Sequence, residues 1–126
     1  PTPTMERVRR LEREGIIIGY RAVVDPEKVG RGQTVFIHVT LREHRKEMID
    51  SFLKAVRMMP EVQACYHTTG SSDYMLKVSG RDMKDYEYFV MHKMTMAPNF
   101  NRIESSIVLS VPKDEPIFEI DDEDFD

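Results

Sequence analysis

The sequence has little of what marks several large classes of protein. It contains one cysteine and no tryptophan, and none of its apolar runs approaches the ~20 residues that a helix needs to cross a bilayer. A single cysteine excludes an intrachain disulfide, and no signal-peptide pattern is present. Because 126 residues suit one hydrophobic core, we expect a single cytoplasmic domain with a short appendage and no membrane segment.

The motifs of common enzymes and metal sites are absent as well. The four histidines form no HxxxH or HxH pair and have no cysteine pair near them, so no metal site is predicted. The chain has no GxGxxG, no phosphate loop and no GxSxG elbow. An RNA-binding sheet would need aromatic and basic residues on its central strands, which QTVFIHVTLR lacks. The sequence therefore predicts neither catalysis nor a cofactor.

Charge is divided unevenly along the chain. Eight acidic residues and no basic one lie in positions 114–126, so the net charge of −4 conceals a body of +4. A basic body favours an electrostatic partner of opposite sign. We expect residues 113–126 to form an acidic tail, in which 116–120 can add an edge strand and 121–126 is disordered.

Apolar periodicity predicts a strand, helix, strand, strand, helix and strand in that order. The predicted elements are strands over 33–42, 62–69, 74–80 and 102–111 and helices over 46–59 and 82–94. This order is the split βαβ arrangement, an α+β, ferredoxin-like βαββαβ fold whose four-stranded antiparallel sheet has both helices on one face. Cys65, on the second strand, is expected to be a small buried residue.

The strands carry apolar side chains toward both faces of this sheet. Phe36, Met75 and Val108 each point away from apolar neighbours that face the helices. A sheet with one solvated face would not need them. We therefore predict that a second subunit covers the face without helices, which makes the protein a homodimer.

An arginine-rich helix and a strand are predicted before this domain. Thr2 and Pro3 suit a helix cap and first helical position, and Gly15 suits the helix end. Arginines alternate with glutamates along the helix, which fits either a solvated face with ion pairs or a surface that offers arginines to DNA. Residues 16–25 are rich in β-branched side chains and predict a strand.

A polar bend separates the strands predicted over 62–69 and 74–80. Gly70, Ser71, Ser72 and Asp73 supply backbone freedom, two hydroxyls and a carboxylate, which a small polar ligand could use. Alternatively, Asp73 only caps the turn and Gly70 only takes a positive φ. On the residues alone, both interpretations stay open.

Two motifs, RVRRLEREGIIIGY and TGSSDYMLKV, together resemble the leucine-responsive regulator/AsnC (feast/famine) family of transcription regulators. The first is similar to the end of the family's winged helix-turn-helix, and the second to the effector loop of its C-terminal effector-binding (RAM) domain. The resemblance implies a recognition-helix remnant over 1–15, a linking strand and connection over 16–32, and an effector-binding and oligomerisation domain over 33–112. It also implies an amino-acid effector and assembly into dimers of dimers or octamers.

By that resemblance the effector-binding residues are Thr69, Gly70, Ser71, Ser72, Asp73 and Tyr74. Asp73 would accept hydrogen bonds from an ammonium group, and we expect Asp73→Ala to abolish an effector response with little effect on the fold. Ser72 stands where the family usually has an aromatic residue, and Ala-Pro-Asn-Phe at 97–100 replaces a leucine-proline-glycine type of turn. The identity of the effector therefore does not carry over.

The same resemblance assigns Thr4, Arg7 and Arg10 to DNA contacts in a parent protein with a complete helix-turn-helix. Such a motif needs two helices to hold the recognition helix, and this chain begins at that helix. We expect a fragment or a shortened family member that binds DNA weakly or not at all by itself.

Two other functions stay open. An enzyme on the same dimeric scaffold, similar to the cofactor-light monooxygenases or haem-precursor decarboxylases that resemble this family, would use His67, Tyr66 and Arg81. A stand-alone modulator would instead join full-length relatives in mixed oligomers and weaken their binding to DNA.

Overall fold

The computed structural model of this chain describes residues 2–120. Its strands are β1 (Gln33–Leu41), β2 (Val62–His67), β3 (Tyr74–Gly80) and β4 (Phe100–Ile107). Its α-helices are α1 (Pro3–Arg13), α2 (Lys46–Arg57) and α3 (Met83–His92), and short 3₁₀ helices occupy Glu27–Val29 and Met94–Met96. The strands pair antiparallel in the order β2-β3-β1-β4. This confirms the predicted ferredoxin-like βαββαβ fold.

The hydrophobic core lies between the sheet and the helices α2 and α3. On β1, the four apolar residues that alternate along one face are at most 3% exposed. They pack in one cluster with Phe52 of α2, Phe89 of α3 and Leu76 of β3. Burying an aliphatic or aromatic side chain of this size contributes about 1.5–3 kcal/mol. This core holds both ends of the sheet in place.

Local sequence signals define where the helices begin and end. The hydroxyl of Thr2 accepts a hydrogen bond from the Met5 N–H at 3.2 Å, and Asp82 accepts one from the Asp85 N–H at 3.0 Å. Gly15 follows α1 with a φ of +74°, a conformation that glycine adopts readily. The predicted caps of α1 and α3 are therefore confirmed.

The turn before β4 contains an asparagine in the left-handed conformation. Asn99 has a φ of +71°, which asparagine tolerates better than most other residues. Its side chain accepts a hydrogen bond from the Glu43 N–H at 3.0 Å and donates one to the Glu43 carbonyl at 2.9 Å. Asparagine thus takes the place of the expected turn glycine and also ties this turn to the segment after β1.

A bulge interrupts the regular alternation of side chains that a strand over 62–69 would have. A bulge between Val62 and Ala64 shifts the register, so that Cys65 and His67 lie on the helix face and Tyr66 on the opposite one. Cys65 is exposed rather than buried, because β2 is an edge strand of the sheet. We call the sheet face without helices the open face.

The strand predicted over 16–25 does not form. Residues 18–25 have no regular secondary structure, and Ile18 and Val23 are 95% and 100% exposed. A strand needs a neighbour to receive its hydrogen bonds, and no described strand lies beside this segment. Tyr20 does contact the preceding helix, donating a hydrogen bond to Glu12 at 3.1 Å.

The C-terminal end also departs from prediction. β4 ends at Ile107 rather than at 111, and the Val108 N–H makes one further bond to the Thr34 carbonyl at 3.0 Å. Leu109 is exposed because β1 begins at Gln33 and offers little chain beyond that point. The edge strand predicted over 116–120 is absent from the structure. The disorder predicted for 121–126 lies outside the described residues.

The open face is less apolar than predicted. Phe36 and Met75 are half-buried there, and Phe36 lines a concavity of about 650 Å³ together with residues of the linker and the C-terminal segment. Nearer the bend the same face carries Thr40, Arg102 and Glu104. The homodimer stays a prediction, and its apolar basis is confined to the part around Phe36.

Candidate functional site

The bend between β2 and β3 is anchored to β1 by its main chain. The Asp73 N–H donates to the Val39 carbonyl at 2.9 Å, and the Thr68 N–H donates to the Asp73 carbonyl at 3.0 Å. The Thr68 hydroxyl lies 3.4 Å from the Ser72 carbonyl. The bend therefore has one defined position at the end of the sheet.

The carboxylate of Asp73 takes part in this anchoring. Its Oδ2 accepts a hydrogen bond from the Leu41 N–H at 2.8 Å and lies 3.1 Å from Nε2 of His44. The Leu41 N–H, and to a lesser degree His44, lower the pKa of Asp73 from its ordinary value, against an opposing effect of desolvation. Asp73 is thus a structural cap of β1, and both of these contacts use the same carboxylate oxygen.

Gly70 lies at the exposed tip of the bend. Its φ is +103°, which agrees with the interpretation that Gly70 takes a positive φ. A Cβ placed there would meet no atom within 4 Å. The backbone conformation, rather than lack of space, is therefore the reason for glycine at this position.

A small polar concavity lies on the open face beside the bend. Its volume is about 220 Å³, and Ser71 and Ser72 form one wall. The opposite wall contains Arg102 and Glu104 of β4, whose charged groups lie 3.5 Å apart and are both well exposed. A guanidinium, a carboxylate and two hydroxyls can together receive a small zwitterion.

The structure distributes the six predicted effector residues over four environments. Thr69 and Gly70 are exposed at the tip, and Ser71 and Ser72 line the concavity. Asp73 is bound to the end of β1. Tyr74, the sixth residue, lies in the hydrophobic core.

Tyr74 belongs to the hydrophobic core. It is 7% exposed, its ring centroid lies 5.7 Å from that of Phe52, and it stacks on His67 at 4.8 Å. Burial is the main cause that raises the pKa of its hydroxyl. Tyr74 supports the bend through its contacts with Phe52 in the core and His67 on β2.

Sequence reasoning missed the residues that β4 brings to the bend. Arg102 pairs with Thr40 and Glu104 with His38 across the β1 and β4 ladder, although each pair is separated by more than 60 positions. The sequence analysis predicted an antiparallel sheet but neither the pairing of β1 with β4 nor the register that brings these residues to the bend.

The residues predicted for DNA contact all lie on α1. Thr4, Arg7 and Arg10 are exposed there, and no residue of α1 is buried. Arg10 forms an ion pair with Glu14 at 3.1 Å. Their contact with DNA stays a prediction.

The residues considered for an enzyme do not come together. Tyr66 and His67 point to opposite faces of the sheet. Arg81 follows β3 at its far end, about 20 Å from them by the rise of seven strand residues.

Residues 2–120 contain neither a metal-binding cluster nor a helix suited to a membrane. No group of three or more histidine, cysteine, aspartate or glutamate side chains is placed to hold a metal ion. Within the same residues no helix is long and apolar enough to span a membrane.

The fold and the bend define a class, a ferredoxin-like domain with a polar concavity beside a loop at the end of its sheet. A sequence profile of the Lrp/AsnC ligand binding domain matches residues 34–118. The chain is 35% identical to the transcriptional regulator AzlB of Bacillus subtilis over 113 residues, which are 90% of this chain and 72% of that protein. It is 36% identical to the DNA-binding transcriptional activator DecR of Escherichia coli over 108 residues, 86% of this chain and 71% of that one. The chain belongs to the Lrp/AsnC family.

Solved structures show the same similarity. A transcriptional regulator from Neisseria meningitidis in complex with L-methionine superimposes with a TM-score of 0.88 and 33% identity, covering 94% of this chain and 77% of that one. A feast or famine regulatory protein from Mycobacterium tuberculosis, complexed with L-methionine, gives 0.76 and 29%, covering 90% and 75%. The resemblance read from the two sequence motifs is confirmed.

Proposed function

We propose that this chain is the effector-sensing and oligomerisation part of an Lrp/AsnC-type transcription regulator, with an amino acid as its effector and no catalysis. The observation that carries the proposal is the polar concavity beside the bend, on a fold shared with two regulators that bind L-methionine. In the whole regulator, which would act in the cytoplasm, residues 33–112 are the sensing domain.

The concavity would bind a zwitterion through complementary charges. The guanidinium of Arg102 would receive the α-carboxylate and Glu104 the α-ammonium, while the hydroxyls of Ser71 and Ser72 would complete the contacts. Hydrogen bonds to charged groups contribute roughly 1.5–3 kcal/mol each where they are shielded from water. Because the groups are exposed in the described chain, such gains require a partner surface that closes the site.

The bend carries the other proposed effector residues in supporting roles. Thr69 and Gly70 would present main-chain groups at the tip, while Asp73 and Tyr74 would hold the bend against the end of β1 and against the core. The carboxylate oxygen of Asp73 that does not contact Leu41 is the second acceptor available for an ammonium group.

A second copy of the chain is the proposed partner for the open face. Phe36 and Met75 are half-buried there and would be covered in a homodimer. The concavity opens on the same face and lies at the sheet's end. A ligand bound there could therefore change how dimers associate into dimers of dimers or octamers.

DNA binding would belong to α1 within a complete helix-turn-helix. Thr4, Arg7 and Arg10 are exposed on that helix, and residues 1–15 would be the recognition helix that enters the major groove. Residues 16–32 would link it to the sensing domain. We propose that these 126 residues alone bind DNA weakly or not at all.

Light scattering and thermal melting with each of the twenty amino acids test the effector proposal. We expect at least one amino acid to raise the melting temperature or to change the mass of the assembly. Arg102→Gln should weaken that response at least tenfold, whereas Arg57→Gln, on the exposed side of α2, should leave it unchanged. A chain that responds to no amino acid would contradict the proposed effector, and a monomer at micromolar concentration would contradict the homodimer.

A further inference from the structure

A second cavity lies at the end of the sheet opposite to the bend. It measures about 330 Å³ and is formed where β1 begins, β3 ends and α3 begins, a volume within the range of small-molecule sites. The seven residues of β3 separate it from the bend by about 20 Å. Val35, Val78 and Phe89 line it with apolar surface and are each at most 3% exposed.

Two aspartates of the cavity wall accept main-chain hydrogen bonds and keep their negative charge. Asp82 caps α3 through the Asp85 N–H at 3.0 Å, and Asp85 in turn accepts a hydrogen bond from the Arg81 N–H at 2.8 Å. A Cβ at Gly80 would lie 3.0 Å from the Cβ of Asp85, so glycine is what permits this close approach. The wall of the cavity is thus defined by main-chain contacts.

Two arginines in the cavity wall have unused hydrogen-bonding capacity. Arg31 donates from Nη1 to the Gly30 carbonyl at 2.9 Å. The side chain of Arg81 lies against Gly30, with Nε 3.3 Å from the position a Cβ would take there. Within residues 2–120 neither guanidinium forms an ion pair. Two unpaired guanidiniums beside one cavity favour a carboxylate ligand.

Glu61 adds a carboxylate to the cavity wall, opposite in charge to the two arginines. Its Oε2 pairs with Lys93, but its Oε1 is buried and has no hydrogen-bond partner among the described residues. A buried carboxylate oxygen without a donor is unfavourable, and Glu61 lines the same cavity. An ammonium group held in the cavity would provide the missing donor.

We infer that this cavity is a second ligand site, which binds a small amino-carboxylate with an apolar side chain. Arg31 and Arg81 receive the carboxylate, Oε1 of Glu61 accepts from the ammonium group, and the apolar side chain lies against Val78 and Phe89. The inference is independent of the effector proposed at the bend, because the two sites share no lining residue.

Titration of the ¹⁵N-labelled chain followed by NMR tests this inference with three probes. L-methionine has both charged groups, N-acetyl-L-methionine lacks the ammonium, and L-methioninamide lacks the carboxylate. L-methionine should shift the amide signals of Ser79, Gly80 and Arg81, and the other two probes should bind at least tenfold more weakly. Inorganic phosphate serves as a simple anion.

Matched variants show which of the two sites causes the amide shifts. Arg31→Gln and Arg81→Gln should each weaken the shifts at Ser79 at least tenfold, and Arg57→Gln should not. Arg31 precedes β1 in a loop, so its variant keeps the test valid if Arg81→Gln misfolds. Arg102→Gln should remove shifts at the bend only, which separates the failure of one site from that of the other.

Three results would overturn the inference. One is the absence of shifts at Ser79 and Arg81 with millimolar L-methionine, which would leave water as the occupant of the cavity. Another is binding of L-methioninamide as tight as that of L-methionine, since the arginines would then have no role. The third is an equal response to phosphate, which would reduce the cavity to a site for any small anion.

Discussion

Asp73 at the bend and the two arginines at the opposite end of the sheet use their charges in opposite ways. At the bend, the carboxylate of Asp73 holds the Leu41 N–H and contacts His44. At the other end, Arg31 and Arg81 have no ionic partner within residues 2–120. The polar bend thus uses its own carboxylate for structure, whereas the two arginines at the opposite end of the sheet have no ion pair among the described residues. A polar sequence motif therefore does not by itself show that its charged groups are available to a ligand.

The largest expected effect of breaking this contrast comes from Asp73→Ala. The variant leaves the Leu41 N–H, at the buried end of β1, without its acceptor, which should lower the free energy of unfolding by about 1–3 kcal/mol. This revises the expectation that the fold would be little affected. Urea denaturation at pH 7 measures the change. Asp73→Asn is the control, because its carbonyl oxygen can still accept the bond, and equal stability of Asp73→Ala and the natural chain would show that the cap is not structural.

Lowering the pH should remove the part of this stabilisation that depends on the charge of Asp73, which is a smaller effect than that of Asp73→Ala. The pKa of Asp73 is lower in the folded chain than its ordinary value, so its ionised form stabilises the fold fully above about pH 4. That stabilisation is lost as the pH falls below this value and through the folded pKa. Urea denaturation at pH 7 and pH 3 should show the natural chain losing more stability than Asp73→Asn. A difference between the two chains that does not change with pH would contradict this assignment.

The smallest effect on stability should come from Arg81→Gln. Its guanidinium has no ion pair to lose within residues 2–120, so the free energy of unfolding should change by less than about 0.5 kcal/mol. Thermal and urea denaturation check this value. A larger loss would mean that Arg81 stabilises the fold, and the contrast between the two ends would then disappear.

Much of the fold could be predicted because the period of apolar residues determines which face of each element is buried. The alternation along 33–42 gave the buried face of β1, and Thr2 and Asp82 marked the starts of two helices. The prediction failed over 16–25, where β-branched residues indicate a strand but no described strand is adjacent. Propensity describes one segment, whereas a strand also depends on its neighbour.

The candidate site was predictable only in part. The bend was found from its glycine, hydroxyls and carboxylate, since those residues are adjacent in sequence. Arg102 and Glu104 reach it only through the register between β1 and β4. The bulge in β2 sets which face Cys65 and Tyr66 occupy, and no local sequence pattern indicated it.

The sequence by itself determined the order of helices and strands along the chain, the helix caps and the family, because these follow from short-range patterns and from two contiguous motifs. Only the tertiary structure decided what the charged groups contact. Asp73 became a cap because the end of β1 lies within hydrogen-bonding distance of it. Arg31 and Arg81 became available because no carboxylate of residues 2–120 lies within ion-pair distance of either guanidinium. Such outcomes depend on distances between segments far apart in sequence, which pairing and packing alone establish.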